Sequence, residues 1–429
     1  MPRRRSADLV ADAERGVRLI DSAPGWAIAA FAAAGVWAYL IVTWGARHMP
    51  ITYYVDLQVY RTAGHALYAG TFSYNNWYGI YAHLPFTYPP FGLLALSPLE
   101  LVPKDLVYQL WWMANAASLL LVVGLSLWRV SNLRGLRLGI MSALVAGLSL
   151  WFLEPVNNNA YFGQIDVILI LAILLDTTCV KGKWRGVLVG LASAIKLTPL
   201  VFVAIFVVQR DRRAVVTSAA TFAGATVAAW IVLPSGSSWF WHNEVLSPAH
   251  IGNLSYLGNQ SWRGLIARIS MASPLATALW LVAAAVTLAT AIVLGRFLIA
   301  EGRIVSAVFA LALGELLCSP ISWTHHWSWL AVAPAVAWSE RRRVPALSAA
   351  LVGLLALAVW KPYWRATHDG WYFLKGNSLA LVGGLVLFGW TWAEWRMASR
   401  QPPRLLPTAV GSRTTEPDPD HRSAVPQVG

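Results

Sequence analysis

The amino-acid sequence predicts an all-α integral membrane protein that crosses the bilayer many times. Of its 429 residues, 57% are hydrophobic and only 12% are charged, whereas a soluble domain carries about a quarter charged residues. Apolar stretches of about 20 residues, which are long enough to cross a hydrocarbon core, recur along the chain. The basic residues cluster between these stretches, as they do in the cytoplasmic loops of membrane proteins.

Charge and cysteine content exclude several classes of protein. The net charge is +13, and the arginine clusters lie at the ends of apolar stretches. This pattern favours cytoplasmic loops over nucleic-acid binding, which needs a basic face with aromatic readers. Cys179 and Cys318 both lie within apolar stretches, so neither a disulfide framework nor a thiolate metal site is predicted. No P-loop, dinucleotide fingerprint, serine elbow or zinc spacing occurs.

The chain divides into a membrane domain and two tails. Residues 1–24 are predicted to be a cytoplasmic tail, because Arg3, Arg4 and Arg5 precede an uncleaved first span. Residues 25–398 form the predicted transmembrane domain. Residues 399–429 are rich in proline, serine and charge, which predicts a disordered cytoplasmic tail.

Ten full spans are predicted from apolar length and from the alternation of basic clusters. They are residues 26–44, 106–128, 138–153, 165–180, 214–233, 275–298, 304–318, 327–338, 346–360 and 379–395. Residues 85–101 and 185–210 are predicted to be broken or re-entrant, because prolines interrupt them. This alternation places the polar-rich segments on one outer face: residues 56–88, 154–166, 242–263 and 322–326.

Asp56 is the predicted catalytic base. It follows the first span, at a membrane edge among tyrosine and glutamine, where an isolated acid tends to mark function. As a base it would accept a proton from a hydroxyl group; the alternative is an N-cap of the helix that follows. A glycosidase needs two carboxylates and a divalent-metal site needs several oxygen ligands, so a single acid predicts neither. No metal is therefore expected, although Asp166 and Glu154 could approach from another loop.

Four cationic or titratable side chains are candidates for binding a phosphate: His325, His326, Lys196 and Arg61. Adjacent histidines chelate poorly on a helix, but either can donate a hydrogen bond to phosphate; the alternative is an ordinary interfacial histidine. Lys196 lies in an apolar stretch broken by Pro199, where an anion is its natural partner unless it snorkels to the interface. Arg61 is otherwise a plain surface charge.

Amide and aromatic side chains on the outer face are the predicted sugar and acceptor contacts. They are Tyr60, Tyr88, Asn159, Gln164, Asn259, Gln260, Arg263 and Trp323. Arg263 is also a phosphate candidate. The amides are ordinary turn formers as well, so their weight comes from sharing one face.

Six segments, taken together and in order, resemble glycosyltransferase family 87. They are Val55–Tyr60, Leu84–Pro90, Gly163–Asp166, Ala194–Pro199, Gly258–Ser261 and Ser319–Trp327. The resemblance implies a GT-C-type bundle of about 10–12 transmembrane helices. It also implies a plasma-membrane enzyme with a periplasmic active site and cytoplasmic termini.

The same resemblance implies the reaction and the roles of the residues. The donor is polyprenyl-phosphate mannose, and the acceptor is a phosphatidylinositol mannoside that is extended by an α-1,2-linked mannose. Asp56 corresponds to the catalytic aspartate, the turn at His325 and His326 lies near the donor phosphate, and Lys196 supports it. The family more commonly has an acid where Thr324 stands, and this departure favours chemistry without a metal or other cofactor. A β-linked donor and an α-linked product imply one inverting displacement.

The sequence also allows three other functions. One is transfer to lipomannan or lipoarabinomannan, and another is an arabinofuranosyltransferase of the GT-C type. A third is a lipid or sugar transporter without chemistry.

Overall fold

The computed structural model describes residues 23–46, 54–245, 252–269, 273–365 and 371–400. The predicted tails, 1–24 and 399–429, lie almost entirely outside these residues. The first half of the described chain contains helices α1 Ala23–Ala46, α2 Val55–Tyr68, α3 Pro90–Leu96, α4 Lys104–Val130, α5 Gly135–Phe152, α6 Glu154–Phe162, α7 Asp166–Thr178, α8 Val187–Ile195 and α9 Val203–Val208. The second half contains α10 Arg212–Val232, α11 Pro234–Trp239, α12 Trp262–Ile269, α13 Pro274–Ala300, α14 Ile304–Cys318, α15 Ala333–Glu340, α16 Pro345–Trp360, α17 Tyr372–Gly376 and α18 Ser378–Ser399.

Short elements connect these helices. The two-residue strands β1 (Trp77–Tyr78) and β2 (Leu84–Pro85) pair antiparallel, with Tyr78 opposite Leu84. A π-helical turn covers Phe240–Glu244. The 3-10 segments are Ser97–Leu101, Gly182–Trp184, Thr198–Phe202, Thr324–Ala331 and Pro362–Arg365.

The all-α membrane class is confirmed, but the number of long spans is smaller than predicted. Within the described ranges, six helices are long and apolar enough to cross a membrane: α1, α4, α5, α10, α13 and α16 with the turn after it. The pair α6 and α7 would make a seventh, although the two helices are bent by 113°. The predicted spans 165–180 and 304–318 are helices of 13 and 15 residues. Residues 305–317 of α14 are all buried, so protein encloses this helix, which is typical of a helix that is apolar on every side.

Both predicted broken elements are confirmed. Residues 85–101 contain β2, α3 and the 3-10 segment Ser97–Leu101. Residues 185–210 contain α8, which ends at Ile195, and then a 3-10 segment with Pro199 in its first turn. Lys196 has an extended backbone at this break. The break therefore holds a lysine side chain inside an apolar stretch.

The predicted span 327–338 is not one continuous α-helix. The 3-10 segment Thr324–Ala331 covers its first half, and the helix resumes only at α15. Pro334 sits at the start of α15, where its missing N–H costs no intrahelical hydrogen bond. The 3-10 segment packs against α6, so the histidine pair faces the bundle interior.

A buried ion network joins the ends of helices α14, α15 and α18. Arg303, just before α14, pairs with Glu340 of α15 and with Glu394 of α18, the latter at 2.7 Å. Both carboxylate side chains are 1% exposed. The network ties α14, α15 and α18 together. Removing Arg303 would leave the buried carboxylate of Glu340 without its cation, whereas Glu394 would keep Arg343 at 3.2 Å.

Candidate active site

Asp56 lies at the start of α2, and its environment is built by the chain entering that helix. Tyr54 adopts a left-handed conformation with φ 59°, and its backbone N–H donates to the carbonyl of Tyr161 at 2.9 Å. The helix begins at Val55, so Tyr54 occupies the N-cap position and Asp56 is already inside the helix. The N-cap alternative for Asp56 is therefore wrong. Its carboxylate instead forms a hydrogen bond with Gln164.

Gly163 permits the close approach that brings Gln164 to Asp56. Its φ is +72°, and an added Cβ would lie 2.7 Å from Cβ of Leu57. Its carbonyl accepts a hydrogen bond from Nε1 of Trp111 at 2.8 Å. A larger residue here would be strained in φ and would push the turn away from α2.

Tyr60, Tyr88 and Gln164 form one hydrogen-bonded group beside Asp56. Oε1 of Gln164 accepts from the Tyr60 hydroxyl at 3.0 Å and from the Tyr88 hydroxyl at 2.8 Å, and the two hydroxyls lie 2.9 Å apart. Because Oε1 is used by the hydroxyls, the amide N–H of Gln164 is the group that can donate to Asp56. Three of the predicted sugar contacts therefore converge on the predicted base.

Lys196 forms a buried ion pair on the same side. Its Nζ lies 2.5 Å from Oδ1 of Asp166, and each side chain is only 10% exposed. Nζ also lies 5.6 Å from the centre of the Tyr88 ring. Asp166 is the first residue of α7, at the turn that also carries Gln164. The anion that the sequence predicts for Lys196 is thus supplied by the protein in this structure.

The two histidines offer hydrogen-bonding atoms that nothing in the described residues uses. Nε2 of His325, Nδ1 of His326 and Oδ2 of Asp166 are shielded from solvent and have no hydrogen-bond partner within those residues. One ligand atom from each of the three residues lies within 4.8 Å of the others. Burial, together with the charge of Lys196, lowers the pKa of both histidines well below the usual range. They are therefore neutral donors or acceptors, and Lys196 is the cation of the site.

A cavity opens beside this group, and its wall has a polar part and an apolar part. The polar part consists of Asp166, Lys196, Thr198, Glu315 and His326. The apolar part consists of Leu169, Ile170, Ile173, Pro199, Phe202 and Trp329. Such a wall can contact both a polar head and a hydrocarbon chain.

Glu315 is not among the candidates predicted from the sequence. It lies on α14, where every neighbour is apolar, and it reaches the cavity wall near Lys196. The signal was present in the sequence, because a lone acid within an apolar stretch is by default a functional candidate.

The pKa of the Asp56 carboxyl suits a general base. Burial is the main cause that raises the pKa of its carboxyl to about 7, while the Gln164 hydrogen bond and the Lys196 charge act in the opposite direction. A carboxylate that titrates near neutral pH is a stronger proton acceptor than an exposed aspartate.

Three predicted contacts lie outside this cluster. Nε of Arg61 pairs with Glu100 at 3.3 Å, so its guanidinium is committed to the 3-10 segment Ser97–Leu101. Arg263 donates to Oγ1 of Thr277 at 3.0 Å. Asn159 donates to Oδ1 of Asn115 at 2.9 Å. All three side chains have other partners in the structure, and their predicted phosphate and sugar contacts stay predictions.

The amide side chains of Asn259 and Gln260 hold neighbouring segments together, and that of Asn259 bonds to the loop that precedes the histidines. Both side chains are fully buried. Oδ1 of Asn259 accepts from the backbone N–H of Ser322 at 2.9 Å, and its amide donates to the carbonyl of Pro320 at 3.2 Å. The Gln260 amide donates to the carbonyl of Gly376 at 2.8 Å. Backbone groups use these polar atoms in the structure, and the acceptor contacts of Asn259 and Gln260 stay predictions.

Trp323 precedes the histidines and is half-buried. Its ring meets Tyr256 edge to face, with ring centres 5.8 Å apart. It pairs with Asn259 in an isolated β-bridge. Its role with an acceptor remains a prediction.

A multi-pass bundle that holds the candidate base Asp56, the buried Lys196 and a cavity that is half apolar is the arrangement expected of a membrane enzyme. Family comparison agrees with this class, since the model of glycosyltransferase family 87 matches residues 86–320. The chain belongs to glycosyltransferase family 87 and is a glycosyltransferase.

Curated relatives support this assignment over most of the chain. A protein of Mycobacterium tuberculosis named polyprenol-phosphate-mannose-dependent α-(1-2)-phosphatidylinositol mannoside mannosyltransferase is 32% identical over 79% of this chain and 86% of its own. A protein of Mycolicibacterium smegmatis, named for the same donor and linkage with a phosphatidylinositol pentamannoside acceptor, is 32% identical over 87% of this chain and 92% of its own. No solved structure is significantly similar to the chain.

Proposed function

We propose that this protein transfers mannose from polyprenyl-phosphate mannose to a phosphatidylinositol mannoside and forms an α-1,2 linkage. The names of both relatives carry this donor and this linkage. The single observation that carries the proposal is the turn of Gln164 and Asp166, because Gln164 bonds to Asp56 and Asp166 pairs with Lys196 in the cavity wall. A proton acceptor and a phosphate-binding cation are the two groups that a single displacement needs.

The reaction assigns one role to each group. The acceptor hydroxyl attacks the anomeric carbon as its proton passes to a carboxylate oxygen of Asp56. The bond between the anomeric carbon and the phosphate oxygen breaks, and polyprenyl phosphate leaves with the bonding electrons. Lys196 and the unpartnered nitrogens of His325 and His326 stabilise the charge on that phosphate.

The cavity wall supports the placement of the donor. Its polar end would hold the phosphate, and its apolar end, with Phe202 and Trp329, would hold the first prenyl units. The sugar would then lie between this end and the group of Tyr60, Tyr88 and Gln164 beside Asp56.

No metal enters this mechanism. Asp166, His325 and His326 are close enough together to hold a divalent cation, but Lys196 already neutralises Asp166. A lysine at this distance makes a cation costly beside that carboxylate. The site is proposed to face the periplasm, because the positive-inside rule puts the basic loops on the other side.

The test uses purified protein, radiolabelled polyprenyl-phosphate mannose and a phosphatidylinositol mannoside. We expect α-1,2-linked product from the wild type and a loss of about 10²-fold or more in kcat for Asp56→Asn. Asp105→Asn is the matched control, because Asp105 is exposed at the start of α4 and should leave kcat unchanged.

Three results would contradict the proposal. Transfer only from an arabinofuranosyl donor would make the protein an arabinosyltransferase. Movement of lipid across a vesicle membrane without transfer would make it a transporter. Normal turnover by Asp56→Asn would remove Asp56 from the mechanism.

A further inference from the structure

Glu154 gathers hydrogen-bond donors from three separate elements. It is the first residue of α6 and is 2% exposed. Oε1 accepts from the Thr324 hydroxyl at 3.0 Å and from Nε1 of Trp364 at 2.7 Å, and Oε2 accepts from the Tyr363 hydroxyl at 2.7 Å. Asn158, one turn along α6, donates to Oε1 as well. A buried carboxylate with this many donors is fixed in one orientation.

One of these donors belongs to the turn that carries the histidines. Thr324 directly precedes His325 in the chain. The turn is held to α6 at a second point, because the Ser328 hydroxyl donates to the carbonyl of Pro155 at 3.1 Å. Phe162, at the other end of α6, meets the His325 ring edge to face with ring centres 5.8 Å apart.

The same helix leads to the group around the base. After Phe162 the chain turns at Gly163 and places Gln164 against Asp56. The nine residues of α6 span about 13 Å at the helical rise of about 1.5 Å per residue. One short helix therefore sets the spacing between the Asp56 group and the histidine turn.

We propose that Glu154 is a positioning residue, which holds the histidine turn through Thr324 so that the nitrogens of His325 and His326 face the phosphate of the donor. This inference rests on the proposed function. Glu154 itself contacts neither the cavity nor Asp56 in the described structure, so it acts through Thr324. A neutral histidine gives a strong contact only when its ring is held in one orientation.

The test is placed on Thr324, since removal of Glu154 would leave four donors without their acceptor, two of them on the buried residues Thr324 and Tyr363. Thr324→Val keeps the volume of the side chain and loses the hydroxyl, whereas Thr324→Ser keeps the hydroxyl and loses a methyl group. We expect Thr324→Val to lower kcat about tenfold, as supporting-residue substitutions commonly do, and Thr324→Ser to stay near the wild type. Thr226→Val is the matched control, because that hydroxyl bonds only within α10, to the carbonyl of Phe222.

A double-mutant cycle then asks whether Thr324 acts through the histidines. In a background that lacks both imidazoles (His325→Ala with His326→Ala), Thr324→Val should cost little further rate, because the groups that it positions are already gone. Multiplying effects of Thr324→Val and of the histidine substitutions would overturn the proposal. So would a Thr324→Val variant with wild-type kcat, or a Thr324→Ser variant as slow as Thr324→Val.

A binding measurement separates this inference from the proposed reaction. Polyprenyl phosphate alone is titrated against each variant, and Thr324→Val should raise its Kd about tenfold with the same cycle behaviour. If the wild type binds this probe but transfers no mannose, the proposed reaction fails and the positioning role is still tested by the Kd values. If the wild type does not bind the probe, the positioning role is overturned.

Discussion

Replacement of Lys196 by methionine separates the structural role of the buried ion pair from its role with the phosphate. The two charges lie 2.5 Å apart and are mostly shielded from solvent. With an effective dielectric constant of about 20, their Coulomb attraction is about 7 kcal/mol, part of which offsets the cost of desolvation. Removing one partner of a buried pair typically costs about 3–5 kcal/mol. We therefore expect Lys196→Met to lower the free energy of unfolding by about 3 kcal/mol.

Addition of Asp166→Asn to this variant tells the two roles apart. The double variant has no unpaired carboxylate, so we expect it to regain most of the lost stability. Its kcat should remain at least about 10²-fold below that of the wild type, because the cation that stabilises the leaving phosphate is still absent. Arg185→Met is the control, since it breaks a more exposed pair with Asp211 and should leave kcat unchanged.

The assay combines thermal unfolding in detergent with transfer of radiolabelled mannose at saturating donor. Recovery of kcat together with stability in the double variant would refute the reasoning, because it would show that Lys196 serves only to neutralise Asp166. Unchanged stability in Lys196→Met would refute the buried pair itself.

Three further predictions follow from the site. The ratio kcat/KM should rise about tenfold per pH unit up to about pH 7 and then level off. The reason is that burial raises the pKa of Asp56 to about 7 and only the ionised carboxylate accepts a proton. A flat pH profile contradicts this prediction. Transfer should survive dialysis against EDTA, and a loss that added Mg²⁺ or Mn²⁺ restores would assign Asp166 and the histidines to a metal site. Finally, His326→Ala should lower kcat more than His325→Ala, because His326 lines the cavity while the His325 ring packs on Phe162. Equal kcat values for the two variants would contradict this difference in role.

Several features of the site could be read from the sequence because each has a local cause. Pro199 predicts the break at which Lys196 is found, since a proline cannot continue the hydrogen bonds of a helix. Asp56 stands out because an acid beside an apolar stretch is costly unless it has a role. Residue type and face predict Tyr60 and Gln164 as contacts, and the structure brings both to Asp56.

For other predicted site residues, the structure shows a second use of the same residue type. Asn259 and Gln260 have the amides that bind sugars, but in this protein they bind the backbone of neighbouring loops. Arg61 carries the charge that phosphate needs, but Glu100 is its partner. Composition does not distinguish these uses, because they depend on which groups lie within about 3 Å.

The sequence by itself determined the membrane class, the broken elements and the candidate base, since apolar length, proline position and isolated charge are properties of neighbouring residues. Only the tertiary structure decided which distant groups meet. Glu154 and Tyr363 are 209 residues apart in the chain and share a hydrogen bond, and Glu315 reaches the cavity from a helix that composition describes only as a span. The physical reason is that buried polar groups must find partners wherever the fold places them, and that placement is a property of the packed helices together.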